Sequence, residues 1–380
     1  MWRTTFVDNH TYVCQHYFAA YSLTVGGTVV KSRSSRSWHI SGIAVLAAAG
    51  LFATACGGSE SATATRPSDP SAAALFDAAQ EKDEIFVYSV LQGELNDQLE
   101  AGYASTYGTP LTIEKIAGSA LSARFESEAA ANADKSDVVI SSDCTFIHDQ
   151  IAKGTMVSIA GAGVPGYPGD YPAEFQVDEG AVPIVQMNPL GIGYNSSKVN
   201  EDDVPTSWDQ LIDPKWKGKI LMVGPNSSAA QTQMWNYLIE SRGESFVKQL
   251  AGQAAQFFPS TGPASEALAA GEGDLLIPTA AQVTNTTAQT GAPTAFQPVE
   301  ETTSAWLCVG LPAKAPNTEG ARLFLSYLLS PAGSEALNGN KETGSVGPFG
   351  TGVQMPTGYV PPSTVTPELT ANVAGIVGIS

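Results

Sequence analysis

Strand and helix signals alternate along the first half of the chain, and this order restricts the fold more than any other feature. Apolar runs at 84–89, 111–116 and 137–141 are typical of buried strands. Behind the first run, apolar residues recur every four positions from Leu91 to Tyr103, as on an amphipathic helix. Because parallel strands need a crossover between them, this strand and helix order predicts a parallel sheet wrapped by helices.

The stretch 188–220 opens a second set of such elements. Leu190, Ile192 and Tyr194 alternate with small residues as in a short strand, and 195–197 turns the chain. The residues 205–208 predict the start of a helix, which 213–218 ends before a new strand. Strand and helix signals continue to 277 and return through a strand at 303–311 and a helix at 317–329. We therefore expect two α/β lobes.

The same stretch resembles the entrance to the second lobe in type II solute-binding proteins of ABC importers, especially the ferric-iron-binding branch. There the turn Tyr-Asn-Ser-Ser-Lys-Val and the run Trp-Asp-x-Leu…Asp-Pro-Lys-Trp-Lys-Gly-Lys follow the hinge. The resemblance covers about 84–350. It implies a two-lobe type II periplasmic-binding-protein fold, each lobe a mixed, mainly parallel sheet wrapped by helices, with a ligand cleft between them. Lobe 1 would span 81–187, lobe 2 would span 188–299, and 300–380 would return to lobe 1 and form a C-terminal tail.

The N-terminal region is typical of a bacterial lipoprotein export signal. Basic residues at 31–36 precede an apolar run at 40–52 and the small residues before Cys56. The apolar run is shorter than the roughly 20 residues that span a bilayer. We predict a signal peptide at 29–55, and the preceding residues 1–28 are interpreted as an upstream extension arising from the choice of start site. Cys56 would carry lipid and hold the protein at the cell surface or in the periplasm.

Composition limits the partners. The residues 56–80 are mostly small and polar, which predicts a flexible tether, and 43% hydrophobic with 15% charged residues overall indicates a globular protein. Residues 1–55 hold four of the 19 basic and one of the 37 acidic residues, so a chain beginning at Cys56 has a net charge of −21. Such a charge disfavours nucleic acid as a partner. We expect a monomer whose partners are a small-molecule solute and the permease subunits in the membrane.

Two cysteines remain after the predicted signal and Cys56. Cys144 follows the strand at 137–141, and Cys308 lies within the strand at 303–311. The resemblance places both residues in the first lobe. In an oxidising compartment they can form a disulfide, or they can remain as two buried thiols.

Five loops follow predicted strands and precede helices, the position at which open parallel sheets bind ligands. Each loop supplies hydroxyls, amides or helix N-termini, so we expect a polar solute there. The same residues could instead only cap the helices. The candidate ligand-binding residues are Ser89, Gly118, Ser119, Ser141, Ser142, Asn226, Ser227, Ser228 and Thr279.

A tyrosine-pair iron site is not expected. Ferric-binding relatives place adjacent tyrosines after the strand at 275–277, whereas 278–281 reads Pro-Thr-Ala-Ala. His148 falls inside a predicted helix, where a surface position or a hydrogen-bonded structural role is favoured over metal ligation, and we expect no metal and no cofactor. The solute is then a small organic or phosphorus-containing molecule, as in phosphonate, polyamine or thiamine relatives. An atypical iron site is the alternative.

Enzyme motifs are missing from the sequence. It contains no G-x-S-x-G elbow, no P-loop and no histidines with metal-ligand spacing, so we predict a protein that is not an enzyme. A hydrolase and a purely structural surface lipoprotein are the remaining alternatives. The aromatic residues Tyr88, Tyr194 and Trp306 are expected to pack in the core.

Overall fold

The computed structural model of the chain describes residues 65–82, 84–91 and 93–379, apart from the side chain of Ser119. The predicted extension at 1–28, the signal peptide at 29–55 and Cys56 lie outside the described residues. The strands are β1 (Ile85–Ser89), β2 (Leu111–Lys115), β3 (Val138–Ser141), β4 (Met156–Val157), β5 (Gln176–Val177), β6 (Val182–Asn195), β7 (Ile220–Val223), β8 (Ala254–Phe258), β9 (Leu275–Ala280), β10 (Thr294–Gln297), β11 (Glu301–Thr302), β12 (Ser304–Pro312) and β13 (Gly358–Tyr359). The α-helices are α1 (Pro70–Ala79), α2 (Gly93–Tyr107), α3 (Gly118–Ala130), α4 (Cys144–Ala152), α5 (Ala229–Arg242), α6 (Glu244–Ala251), α7 (Thr261–Ala270), α8 (Ala281–Gln289), α9 (Thr318–Leu328), α10 (Pro331–Asn338) and α11 (Pro367–Val377).

One mixed sheet runs through the molecule in the order β2, β1, β3, β12, β6, β9, β7, β8. β1 is parallel to β2 and β3, and β7 is parallel to β8 and β9. The antiparallel strands β6 and β12 join these two parallel regions. The predicted α/β class is confirmed, and within residues 65–379 no helix is long and apolar enough to cross a membrane.

β6 is shared by both halves of the sheet. From Ile184 to Pro189 it pairs with β12, and from Leu190 to Tyr194 it pairs with β9. At the changeover, the Leu190 amide donates a 3.0 Å hydrogen bond to the carbonyl of Thr303. The Thr302 hydroxyl donates a 2.7 Å bond back to the Leu190 carbonyl. The chain therefore passes between the halves in two crossing strands, β6 and β12 with the residues just before it, and the two are hydrogen-bonded to each other at this point.

Each half has its own hydrophobic core. In the first core, Leu95, Leu99 and Tyr103 of α2 are buried, so the four-residue periodicity marked the face that packs inward. In the second half the side chains of β7 alternate between two sets of neighbours. Ile220 packs in one cluster and Leu221 in another, because successive strand residues point to opposite faces. The second half of the sheet is thus covered on both faces.

The prediction of a flexible tether at 56–80 is wrong for its second half. Helix α1 begins at Pro70, and the carboxylate of Asp69 accepts hydrogen bonds from the amides of Ser71 and Ala72. Its buried residues, including Phe76, pack against α9 in the first core. The alanine-rich sequence forms a stable helix because that contact removes its apolar face from water.

The helix predicted from Trp208 is also wrong. The chain instead forms two short 3₁₀ turns, Trp208–Ile212 and Pro214–Trp216. Asp213 between them is extended, with ψ of 131°, since a residue that precedes proline disfavours the helical conformation. Trp208 is fully buried, and its indole N–H donates to the carbonyl of Glu301 at 2.7 Å.

The C-terminal segment packs on the second core. β13 pairs with β11, and the chain then runs along residues 360–366 into α11. Val373 and Val377 of α11 are buried among side chains of the second core, against α5 and α6. The end of the chain therefore forms a third link between the halves, where the sequence predicted two links and a tail.

Candidate functional site

Two adjoining cavities lie beside the crossing strands, between the two cores. We call the first, of about 300 Å³, the inner cavity; its lining includes Gly118, Ser142, Asn188, Ser228, Gln231 and Trp306. We call the second, of about 520 Å³, the outer cavity; its lining includes Ser142, Asp143, His148, Asp149, Asp178 and Trp306. Ser142 and Trp306 belong to both. Together the two cavities form an interlobe cleft of the size of a small-molecule site.

The backbone builds this cleft from strand ends and helix starts. Gly118 is the first residue of α3, and Ser228 is the N-cap of α5, its hydroxyl accepting a 3.3 Å hydrogen bond from the Gln231 amide. Asp143 caps α4 by accepting from the Phe146 amide at 2.9 Å. α3 and α4 follow β2 and β3 of the first half, and α5 follows β7 of the second half. The two sets of parallel strands run in opposite directions, with their C-terminal ends toward the middle of β6, so helix N-termini from both halves face the cleft.

Three of the predicted ligand-binding residues line the inner cavity: Gly118, Ser142 and Ser228. The hydroxyls of Ser89 and Ser141 are buried in turns instead. They accept hydrogen bonds from the amides two residues later, at 3.1 Å and 3.0 Å. A short polar side chain at the end of a strand can hydrogen-bond to the backbone of its own turn instead of facing a ligand. For these two residues the structure favours the alternative of a local structural role over ligand binding.

Three further predicted ligand-binding residues, Asn226, Ser227 and Thr279, do not line the inner or the outer cavity. Asn226 is exposed and lines a surface cavity beside α11. The hydroxyls of Ser227 and Thr279 are buried, and neither has a hydrogen-bond partner within the described residues. The side chain of Ser119 lies outside the described part of the chain, and its backbone belongs to the first turn of α3.

Sequence reasoning missed Asn188 and Gln231 and the exposure of Trp306 to the cleft. Trp306 lies on β12 and packs against the first core, as expected, but it is only half-buried and also lines both cavities. Alternation along β12 only assigns it to one face of the sheet, and the interlobe opening on that face comes from tertiary structure. Tyr88 and Tyr194 are buried in the cores, as predicted.

No tyrosine of the described residues lines either cavity, and no group of three or more His, Cys, Asp or Glu side chains in that part could hold a metal ion. Ala280, from the position where iron-binding relatives would have tyrosine, does line the inner cavity. Tyr359 lies behind Trp306, and burial raises the pKa of its phenol. Burial and a hydrogen bond to Glu128 likewise raise the pKa of Tyr88. Both shifts disfavour the phenolate, which is the form in which tyrosine binds Fe(III).

A disulfide joins Cys144 to Cys308. Cys144 is the first residue of α4 and lines the outer cavity, while Cys308 lies on β12 two residues after Trp306. The bond therefore ties the loop after β3 to the strand that carries the cleft tryptophan.

The model of the family of bacterial extracellular solute-binding proteins matches residues 133–353. The chain belongs to this family. The match includes β6 and β12, part of the first core and most of the second core.

Two curated relatives have similar sequences. An uncharacterized protein of Haemophilus influenzae is 28% identical over 192 residues, 47% of this chain and 53% of that protein. This solute-binding chain thus matches about half of that relative's length. Iron uptake protein A1 of Synechocystis is 24% identical over 277 residues, 68% of this chain and 74% of the relative.

Solved structures share the fold. Iron-bound HitA from Pseudomonas aeruginosa has a TM-score of 0.59 at 18% identity, with 78% of this chain and 99% of that chain covered. The spermidine/putrescine transporter substrate-binding protein PotD from Streptococcus pneumoniae has a TM-score of 0.60 at 13% identity, with 78% and 97% covered. The predicted type II periplasmic-binding-protein fold is confirmed, since these neighbours are transport binding proteins of that kind.

Proposed function

We propose that this chain is the solute-binding component of an ABC importer, which captures a small polar organic solute in the interlobe cleft and delivers it to the permease. The observation that carries the proposal is the cleft itself, lined from both cores beside two bonded crossing strands. In this proposal lobe 1 spans 81–187, lobe 2 spans 188–299, and 300–380 returns to lobe 1 before its end packs on lobe 2. The protein acts as a monomer and is not an enzyme.

The two lobes close on the solute. A ligand that touches both sides of the cleft stabilises the closed arrangement by its differential affinity for that state. Gly118 and Ser142 lie on the lobe 1 side and Ser228 and Gln231 on the lobe 2 side, so one solute in the inner cavity can reach both. The third link through 360–366 limits how far the lobes separate.

Native mass spectrometry of protein purified without refolding tests the proposal. We expect a retained small molecule, and small-angle scattering should show a smaller radius of gyration when that molecule is added back to the stripped protein. A chain that retains nothing, and whose radius stays constant with every tight ligand found, would not be a solute-binding component.

The anchor is a separate part of the proposal. Cys56 carries the lipid that holds the protein at the outer face of the membrane, in the periplasm or at the cell surface, after removal of 29–55. Labelled palmitate should enter the wild-type protein and not Cys56→Ala. Incorporation that persists in the variant would refute the anchor without affecting the cleft.

Iron carriage is a second candidate because relatives named for iron share the fold and part of the sequence. Against it stands the absence of tyrosine from the described lining of both cavities. Ferric citrate added to the stripped protein should give no visible charge-transfer band. An orange complex with one iron per chain would instead support an atypical iron site.

A further inference from the structure

A chain of three buried amide side chains fixes which atom Asn188 can offer to a ligand. The Asn338 amide nitrogen donates to the Val185 carbonyl at 3.0 Å, so the Asn338 oxygen must accept, and it does so from Gln186 at 3.1 Å. The Gln186 oxygen in turn accepts from the Asn188 nitrogen at 3.1 Å. Because a backbone carbonyl can only accept, each of these three side-chain amides has only one possible orientation. Asn188 Oδ1 is left without a partner, on a residue only 6% exposed.

Gln231 repeats this arrangement from the other side of the inner cavity. Its nitrogen donates to the Pro278 carbonyl at 3.2 Å, which leaves Oε1 without a partner on a residue only 4% exposed. Asn188 belongs to a crossing strand and Gln231 to α5, and both line the inner cavity. A buried acceptor without a partner is costly, and a ligand N–H group satisfies it.

Trp306 supplies an aromatic surface between the two cavities. Its indole N–H donates to the Tyr359 hydroxyl at 3.0 Å, so the polar edge of the ring is occupied and its orientation is held. The ring lines both the inner and the outer cavity. An ammonium group over the face of tryptophan is attracted by the ring quadrupole.

The charges around the cleft have one predominant sign. Asp143, Asp149 and Asp178 line the outer cavity, and among the described residues no lysine or arginine lines either cavity. His148 lies between two of these carboxylates, 3.5 Å from Asp149 and 3.4 Å from Asp178. Asp143 and Ser228, which cap α4 and α5, already accept hydrogen bonds from amides at the starts of these helices. Those amides are the donors that a bound anion would need.

We propose, on the basis of the function proposed above, that the solute is an organic cation whose ammonium N–H groups bind Asn188 and Gln231 and whose charge lies beside Trp306. The carboxylates that line the outer cavity attract such a cation toward the cleft. The oxygen atoms of Asn188 and Gln231 then favour a cation that carries N–H donors. This assignment separates the amines from the phosphonates that the sequence left open.

Calorimetric titration of the purified full-length chain tests the class of solute. The probes are putrescine and spermidine as N–H-bearing cations, choline as a cation without N–H donors on its nitrogen, and methylphosphonate as an anion. We expect putrescine or spermidine to bind at least about tenfold more tightly than choline, since a lost hydrogen bond and an unsatisfied acceptor are worth that factor. Methylphosphonate should not bind.

Variants locate the binding. Trp306→Leu should weaken amine binding by about 2-fold to 30-fold and Trp306→Phe by less, while Gln231→Leu should weaken it about tenfold. Asp178→Asn should weaken it at low salt, and the loss should shrink at about 0.5 M salt as the charge is screened. The matched control is Asp202→Asn, an exposed carboxylate beyond the end of β6 remote from Ala280, and it should leave the affinity unchanged. Thermal unfolding of each variant shows that it folds.

Failure of both putrescine and spermidine to bind at about 1 mM overturns the inference, as does tight binding of methylphosphonate. Amine binding that Trp306→Leu and Gln231→Leu leave intact also overturns it, because the amine would then bind elsewhere. The proposed function survives these outcomes if native mass spectrometry still finds a retained solute.

Discussion

Removal of the disulfide between Cys144 and Cys308 is the sharpest test of how this fold is held together. The two cysteines are 164 residues apart in sequence, so the bond closes a loop that contains β6 and the whole of the proposed lobe 2. In the chain-entropy model, a loop of this length stabilises the folded state by about 5 kcal/mol through its effect on the unfolded chain. This figure is an upper value because unfolded chains retain some structure.

The change to make is the double variant Cys144→Ala/Cys308→Ala, since alanine removes only the sulfur atoms and adds no buried hydroxyl at Cys308, which is fully buried. Urea unfolding followed by tryptophan fluorescence should show a lower midpoint than the oxidised parent. Part of the loss comes from the small cavity left at Cys308, at about 1 kcal/mol.

Reductant provides the control. Dithiothreitol should lower the midpoint of the parent protein toward that of the double variant and leave the variant unchanged. If the oxidised parent and the double variant unfold at the same urea concentration, the long loop adds nothing, and the entropic reasoning is refuted. If the reductant acts equally on both proteins, the stabilisation does not come from this bond.

Other perturbations test the packing and charges of the fold. Burial raises the pKa of Asp137, although its oxygens accept from the amides of Phe86 and Asn317. Its ionised form is therefore less favourable in the folded state than in the unfolded state. As the pH falls through the raised pKa, the parent protein should gain stability relative to Asp137→Asn. If the difference between their urea midpoints does not change with pH, this reasoning is wrong. Gly191→Ala should destabilise by about 1–3 kcal/mol because its new carbon would lie 2.7 Å from a backbone carbonyl oxygen. Gly375→Ala, with open space in α11, should stabilise by about 0.5–1 kcal/mol, and equal midpoints for these two variants would contradict the packing described.

The fold class was predictable because its signals are local. The periodicity of α2 from Leu95 to Tyr103 reflects one buried face, and the order of strands and helices restricts the sheet to a few arrangements. The turn at Asn195 followed from the same short-range chemistry, since its side chain accepts from the amide of Ser197 at 3.0 Å. Errors appeared where a contact distant in sequence decides the outcome. Helix α1 is one of these, because it depends on α9.

By itself, the sequence determined the α/β class, the two sets of elements and the loops from which a cleft could be built. Only the tertiary structure decided which polar atoms remain for a ligand. Ser89 is the last residue of β1 and Ser142 is the first residue after β3, yet the Ser89 hydroxyl is bonded within its own turn whereas Ser142 lines the cleft. The side-chain oxygen of Asn188 stays unpaired because Asn338, 150 residues later, orients the Gln186 amide that accepts from the Asn188 nitrogen. Local patterns describe which groups a segment carries, whereas hydrogen bonds between distant segments determine which of those groups are already satisfied.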